Sequence, residues 1–248
     1  PLADYSLTPT IAIVDPALVM TVPGFVTADT GMDVLTHAVE AYTSTLANDY
    51  TDGLALQAIK LVFENLESSV KNGDFVSREK MHNASTMAGM AFANAFLGMS
   101  HSMAHKVGGF FHTVHGRTNA ILLPYVIRYN GTRPAKAATW PKYNYYRADE
   151  KFQDIARMLG LPSSTPEEAV DALAKAVFEL GERVGIEMNF KAQGVDEKEW
   201  KETIHEIALL AYEDQCSPAN PRLPMVAHME EILADAYYGY AARPGRLK

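Results

Sequence analysis

Four of the chain's eight histidines fall within fifteen residues, in the segment Ser100-His-Ser-Met-Ala-His-Lys-Val-Gly-Gly-Phe-Phe-His-Thr-Val-His-Gly116. Upstream, Gly31-Met-Asp-Val-Leu-Thr-His37 sets Asp33 four residues before His37. On a helix, residues i and i+4 share one face, so Asp33/His37 and His101/His105 each form a pair on one side. Imidazole nitrogens and a carboxylate oxygen suit a divalent first-row metal without any thiolate. Several imidazoles buried together without a shared partner would be costly. The expectation is a fold in which two separate helices close around one ion, with a glycine-containing turn returning His115 toward His101. His82, His205 and His228 each stand alone in a helical stretch and are read as structural. Met90, Met99 and Met103 are read as core filler, and Cys216 as a structural thiol with no His or Lys near it in sequence.

At 248 residues, 48% hydrophobic and 21% charged, the chain has the composition of a soluble globular protein of one or two domains. A net charge of −8 with scattered basic residues argues against a nucleic-acid partner. One cysteine excludes an intramolecular disulfide and fits a reducing, cytoplasmic compartment. No secretory signal pattern opens the chain, and Pro1 reads as the cut end of a longer polypeptide. Residues 81–105 lack Asp, Glu, Lys and Arg, but their Asn, Ser and His content marks a buried helix rather than a membrane span. There is no Gly-x-Ser-x-Gly elbow, no P-loop and no Gly-x-Gly-x-x-Gly within 98–109.

Thr10-Ile-Ala-Ile-Val-Asp15 reads as a short strand, the last of a sheet. From Thr27 onward the pattern is helical. Helices are expected over about 27–47, 52–71, 77–99, a fourth carrying His101 and His105 until Gly108-Gly109, then 119–129, 150–159, 166–184, 196–212 and 224–238. Thr27 or Asp29 is the expected cap of the first, and residues 130–149 read as a loop. The fold class is therefore mainly α.

These motifs resemble those of the iron-dependent (group III) alcohol dehydrogenase family, over nearly the whole chain. Gly31-Met-Asp-Val-Leu-Thr-His-Ala38 resembles its first metal motif, and Leu97-Gly-Met-Ser-His-Ser-Met-Ala-His105 with Val114-His-Gly116 its second. Pro1-Leu-Ala-Asp-Tyr-Ser-Leu-Thr-Pro9, Asp214-Gln-Cys216 and Ala219-Asn-Pro-Arg222 are similar to the alcohol dehydrogenase half of bifunctional aldehyde-alcohol dehydrogenases. The resemblance implies the dehydroquinate synthase-like fold. Residues 1–26 would be the terminal strands and linker of a Rossmann-like nucleotide domain, and 27–248 the all-helical metal-binding catalytic domain. It implies Asp33, His37, His101 and His115 as ligands of Fe2+, with Zn2+ the alternative metal. It also implies His105 as the catalytic residue beside substrate and the nicotinamide of NAD(H).

The implied activity is interconversion of a primary alcohol, ethanol foremost, and its aldehyde by hydride transfer, the metal polarising the substrate oxygen. The implied setting is cytoplasmic and fermentative, in a homo-oligomer or filament. The family's Gly-Gly-Gly-Ser pyrophosphate loop is absent, so the chain alone is expected to be inactive. Two other readings stay open. One is a metal-dependent lyase of the dehydroquinate synthase type, which needs a basic cluster where only Lys106 and Arg117 lie near the motifs. The other is a domain kept mainly for filament assembly.

Overall fold

Local chemistry sets four of the helix starts among the described residues. Asn48 caps one helix in a reciprocal capping box with Thr51, and Asp74, Thr165 and Asp196 each accept from a backbone N–H of the turn that follows. The computed structural model describes residues 4–134 and 146–239; residues 1–3, the central part of the expected 130–149 loop and residues 240–248 lie outside the described residues. The helices are α1 (Gly24–Thr43), α2 (Asp49–Lys71), α3 (Phe75–Ala95), α4 (Met99–Phe111), α5 (His115–Gly131), α6 (Ala148–Met158), α7 (Pro166–Arg183), α8 (Glu197–Tyr212) and α9 (Val226–Tyr238). Among the described residues no helix is long and apolar enough to cross a membrane.

Two cores share α5. One is built from α1, α2, α3, α6 and α7, and takes Ala120, Leu123 and Ile127 from α5. The other joins α4, α8 and α9 around Trp200 and Tyr237, and takes Ile121, Leu122, Tyr125, Val126 and Tyr129. Helix α5 is thus buried on both sides and forms the spine. Within the first core, Ala84, Ala88, Ala91 and Ala95 form a fully buried small-residue stripe on α3. That stripe explains the charge-free composition of this segment: close helix contact, not lipid, surrounds it.

Four expectations need correction. No strand forms among the described residues: Thr10–Asp15 runs unpaired, with Ile11 and Ile13 79% and 87% exposed. A β-branched run has strand propensity, but a strand exists only where a neighbour completes its hydrogen bonds. The first helix starts at Gly24 behind Pro23, whose ring offers no side-chain acceptor for a cap, so Thr27 and Asp29 lie inside the helix, where Arg117 engages the Asp29 carboxylate. Helix α4 runs through Gly108-Gly109 and ends only at His112, which adopts the left-handed conformation with φ 54°. Two helical glycines cost about 1 kcal/mol each, and the packing of Phe110 and Phe111 against the second core offsets this. His115, expected in the turn, is the first residue of α5.

Helices α1 and α5 meet backbone to backbone at Gly116, where a Cβ would lie 2.2 Å from the Asp29 carbonyl oxygen and 3.1 Å from the Asp33 Cβ. Gly116→Ala should therefore force α5 away from α1 and lower stability by about 1–3 kcal/mol in urea unfolding. Gly53→Ala, at a helical site with nothing within 4 Å, should instead stabilise by about 0.4–1 kcal/mol. Equal effects of the two substitutions would show that the α1–α5 contact is not close-packed.

Candidate metal centre

Helix α1 presents Asp33, His37 and Glu40 on one face, since residues three, four and seven apart align along a helix. Helix α4 contributes His101, and the first turn of α5 contributes His115. His101 Nε2 and His115 Nε2 each lie 3.6 Å from Asp33 Oδ1, and His37 Nδ1 lies 3.9 Å from Asp33 Oδ2. Donor atoms of Asp33, His101 and His115 all fall within 4.8 Å of one another. The His37 ring is stacked between His101 at 4.5 Å and Phe92 of α3 at 4.6 Å, which fixes it at the edge of this trio. All four residues singled out in the sequence as ligands are thus brought together.

A four-coordinate ion with bonds of about 2.1 Å separates its donor atoms by about 3.4 Å, close to the spacing here. His101 supplies a second test of fit. Its side chain is 1% exposed, and its Nε2 has no hydrogen-bond partner. A buried nitrogen left bare beside a carboxylate is what a metal ligand looks like without its metal. The donor set fits a divalent first-row ion.

Two further residues hold this arrangement and a third holds His105, and none of the three was assigned a role from the sequence. Glu40 Oε2 sits 2.6 Å from His101 Nδ1, and Glu40 Oε1 accepts from the Ser100 backbone N–H at 2.7 Å. A carboxylate on the far nitrogen fixes ring orientation and leaves Nε2 for the metal. The Asn119 amide donates to Asp33 Oδ1 at 2.8 Å and lies 3.2 Å from His115 Nε2. Both had a local signal: Glu40 is the single acid in residues 34–42, seven beyond Asp33, and Asn119 is four beyond His115. Asp214 had none of this kind, because it meets His105 across 109 residues of sequence.

Electrostatics divides the imidazoles. Burial acts most strongly on Asp33 and disfavours its charge, but His101, His37 and His115 together outweigh it and hold the carboxyl well below its usual range. Burial and the neighbouring His101 lower His37 to about 4, and burial also lowers His115. Both are neutral near pH 7, as ligands must be. Burial pulls on His101 too, but the adjacent Asp33 and Glu40 prevail and raise it to about 9. Without metal, His101 therefore keeps its proton at neutral pH.

His105 stands beside the cluster, stacked on His115 at 5.5 Å, with Nδ1 3.1 Å from Asp214 Oδ2. His105, Asp214 and Cys216 also form a compact donor group, but it does not fit a metal. Lys106 Nζ is already 2.9 Å from Asp214 Oδ2. Burial, with the charges of Glu40 and Asp214, pushes the Cys216 thiol far up, so no thiolate is available. A cavity of about 570 Å³ lies behind the α4–α5 turn, between Phe110, Phe190, Arg117 and Gln193. None of the four candidate ligands lines it.

Metal binding should release the His101 proton, so affinity should rise about tenfold per pH unit up to about pH 9 and then level. The sign for metal-free stability is opposite. A raised His contributes fully below its ordinary value and loses that contribution as pH rises through about 9. Metal titration across pH checks the first, and urea unfolding of chelated protein the second. Glu40→Gln should weaken metal binding by about 10- to 100-fold, His101→Ala by more, and His82→Ala not at all. Stoichiometric metal at unchanged affinity in His101→Ala would remove His101 from the ligand set.

Residues 27–237 match the model of the Fe-containing alcohol dehydrogenase family, C-terminal. The chain is 83% identical, over all 248 of its residues, to the aldehyde-alcohol dehydrogenase of Streptococcus pneumoniae serotype 2, of which it spans 28%. In three dimensions it resembles the iron-containing alcohol dehydrogenase of Thermococcus thioreducens, with a TM-score of 0.82 and 35% identity over 96% of this chain and 57% of that one. It also resembles the sulfoacetaldehyde reductase of Bifidobacterium kashiwanohense solved with NAD+, with a TM-score of 0.75 and 29% identity over 95% and 55%. Taken with the all-helical architecture, these matches show that the chain belongs to the iron-containing alcohol dehydrogenase family, as its C-terminal helical domain.

Proposed function

We propose that this domain provides the metal-binding half of an NAD-linked dehydrogenase that interconverts a primary alcohol, ethanol foremost, and its aldehyde. The observation that carries the reading is the convergence of the Asp33 carboxylate with the His101 and His115 imidazoles, His101 buried with a bare Nε2, and the His37 ring stacked at their edge. Asp33, His37, His101 and His115 would hold the ion, with Fe2+ the first choice and Zn2+ the alternative. When bound, such an ion supplies Lewis acidity that favours negative charge on a substrate oxygen and polarises a carbonyl.

The chain's own residues supply the rest. One carboxylate against three neutral imidazoles keeps the centre net positive once loaded. Phe92 and His37 form an aromatic wall beside it. His105, close to the cluster yet engaged by Asp214, is placed to accept and return a proton, a role suited to imidazole near neutrality. Hydride exchange is the work of a nicotinamide, which the protein has to orient. The reductase solved with NAD+ supports that cofactor for this fold. The lyase reading loses its support, because Lys106 is paired with Asp214 and Arg117 with Asp29, so neither is free to bind a phosphate.

In the assembled enzyme, His105→Ala should keep its metal and lose about 100-fold or more in turnover of ethanol with NAD. Metal loss equal to that of His101→Ala would place His105 among the ligands instead. Residues 1–248 contain no Gly-rich turn after a strand to hold a pyrophosphate. Calorimetry of this chain with NAD should therefore show metal binding without tight cofactor binding, and micromolar NAD affinity would reveal a nucleotide site within it.

A further inference from the structure

Asp214 lies at the turn after α8, in the second core's half of the molecule, and its side chain is 3% exposed. It is a buried carboxylate that contacts His105 and belongs neither to the ligand group nor to Glu40's contact with His101. Its oxygens are divided. Oδ1 accepts the Cys216 backbone N–H at 3.0 Å. Oδ2 faces His105 Nδ1 at 3.1 Å and Lys106 Nζ at 2.9 Å. An ionised carboxylate only accepts hydrogen bonds, so its partner on His105 has to be an Nδ1–H. The donors around it, from His105, Lys106 and the Cys216 backbone, outweigh burial and keep Asp214 ionised. The other side of the imidazole is held by its stacking on His115, with the rings inclined by only 12°.

We propose that Asp214 is a positioning residue that locks His105 in the Nδ1–H form, so that Nε2 is the nitrogen that exchanges a proton with substrate. The proposal rests on the dehydrogenase reading above. In alcohol oxidation the carbon gives its hydride to NAD+, the hydroxyl proton passes to Nε2, and the imidazolium afterwards releases one proton to solvent. In aldehyde reduction each transfer reverses. Throughout, Nδ1–H stays on Asp214, so the ring neither flips nor presents its wrong nitrogen. Lys106 has a second use here. Its ammonium supplies the countercharge for Asp214, so His105 need not be charged for the carboxylate to remain buried.

The decisive measurement needs no variant. Ring-nitrogen NMR of the zinc-loaded chain, labelled at histidine, reads which nitrogen of neutral His105 carries the proton. Nδ1–H is expected, and an Nε2–H ring would overturn the proposal. Asp214→Asn is the second arm. The amide cannot accept from both the Cys216 N–H and His105 Nδ1–H, so part of the His105 population should move to the Nε2–H form. Zinc affinity should stay at the wild-type level. In the assembled enzyme, kcat should fall by about 10- to 100-fold with KM little changed. An unchanged tautomer with unchanged kcat in a folded Asp214→Asn protein would overturn the proposal, and so would metal loss matching His101→Ala. If wild-type enzyme turns over no alcohol, the dehydrogenase reading fails by itself, and the NMR result still decides what Asp214 does to His105.

Discussion

The backbone contact between α1 and α5 at Gly116 is the constraint on which the rest depends. Only a residue without a Cβ lets α5 come this near to the Asp29 carbonyl. The adjacent residue locks the approach: Arg117 donates to both oxygens of the Asp29 carboxylate, at 2.9 and 3.0 Å. Asp33 is one turn beyond Asp29 on α1, and His115 immediately precedes Gly116 on α5. The clamp therefore brings a carboxylate and an imidazole face to face at 3.6 Å. Because α5 also separates the two cores, the same helix carries a ligand at its start and joins both halves of the domain along its length.

Around that contact the molecule tolerates a concentration of buried polar groups that would be unfavourable in isolation. Asp33, Glu40, His101, Asn119 and Ser100 form one connected network in which nearly every atom has a partner. The exception, His101 Nε2, is the atom the proposed function uses. Without a metal, the carboxylates of Asp33 and Glu40 keep a proton on His101, so the ring is held as a cation between them near neutral pH. An ion bound there would take the place of that proton. Asp214 with His105 and Lys106 repeats the design on a smaller scale, with charge balanced by a lysine in place of a metal.

Helix existence and order were legible because most helices carry a 3.6-residue apolar pattern and four carry a side-chain cap. Asp33 with His37 and His101 with His105 were legible because each pair's spacing is local to one helix, whereas the choice of His115 as the fourth ligand came from the resemblance alone. Asn119 and Glu40 stood within reach of the same logic, at i+4 and i+7 from ligands, but a single Asn or Glu at such a distance has many ordinary explanations. The run Thr10–Asp15 misled because propensity is a property of the segment, whereas a strand is a property of two segments. The glycine pair 108–109 misled for a related reason: Phe110 and Phe111 hold the helix together through packing that residues 99–111 alone do not reveal.

By itself, then, the sequence determined a mainly helical chain, the helix faces that bear Asp33, His37, His101 and His105, and the donor chemistry of a divalent metal. Tertiary structure decided what those faces meet. It set His115 opposite Asp33, left His101 Nε2 bare, engaged Lys106 and Arg117 so that neither is free for a phosphate, and brought Asp214 to His105. The physical reason is range. Helical periodicity and capping act over three or four residues, while the clamp at Gly116 and the carboxylates behind the imidazoles join atoms from helices 60 to 109 residues apart, which only the packing of both cores on α5 brings within hydrogen-bonding distance.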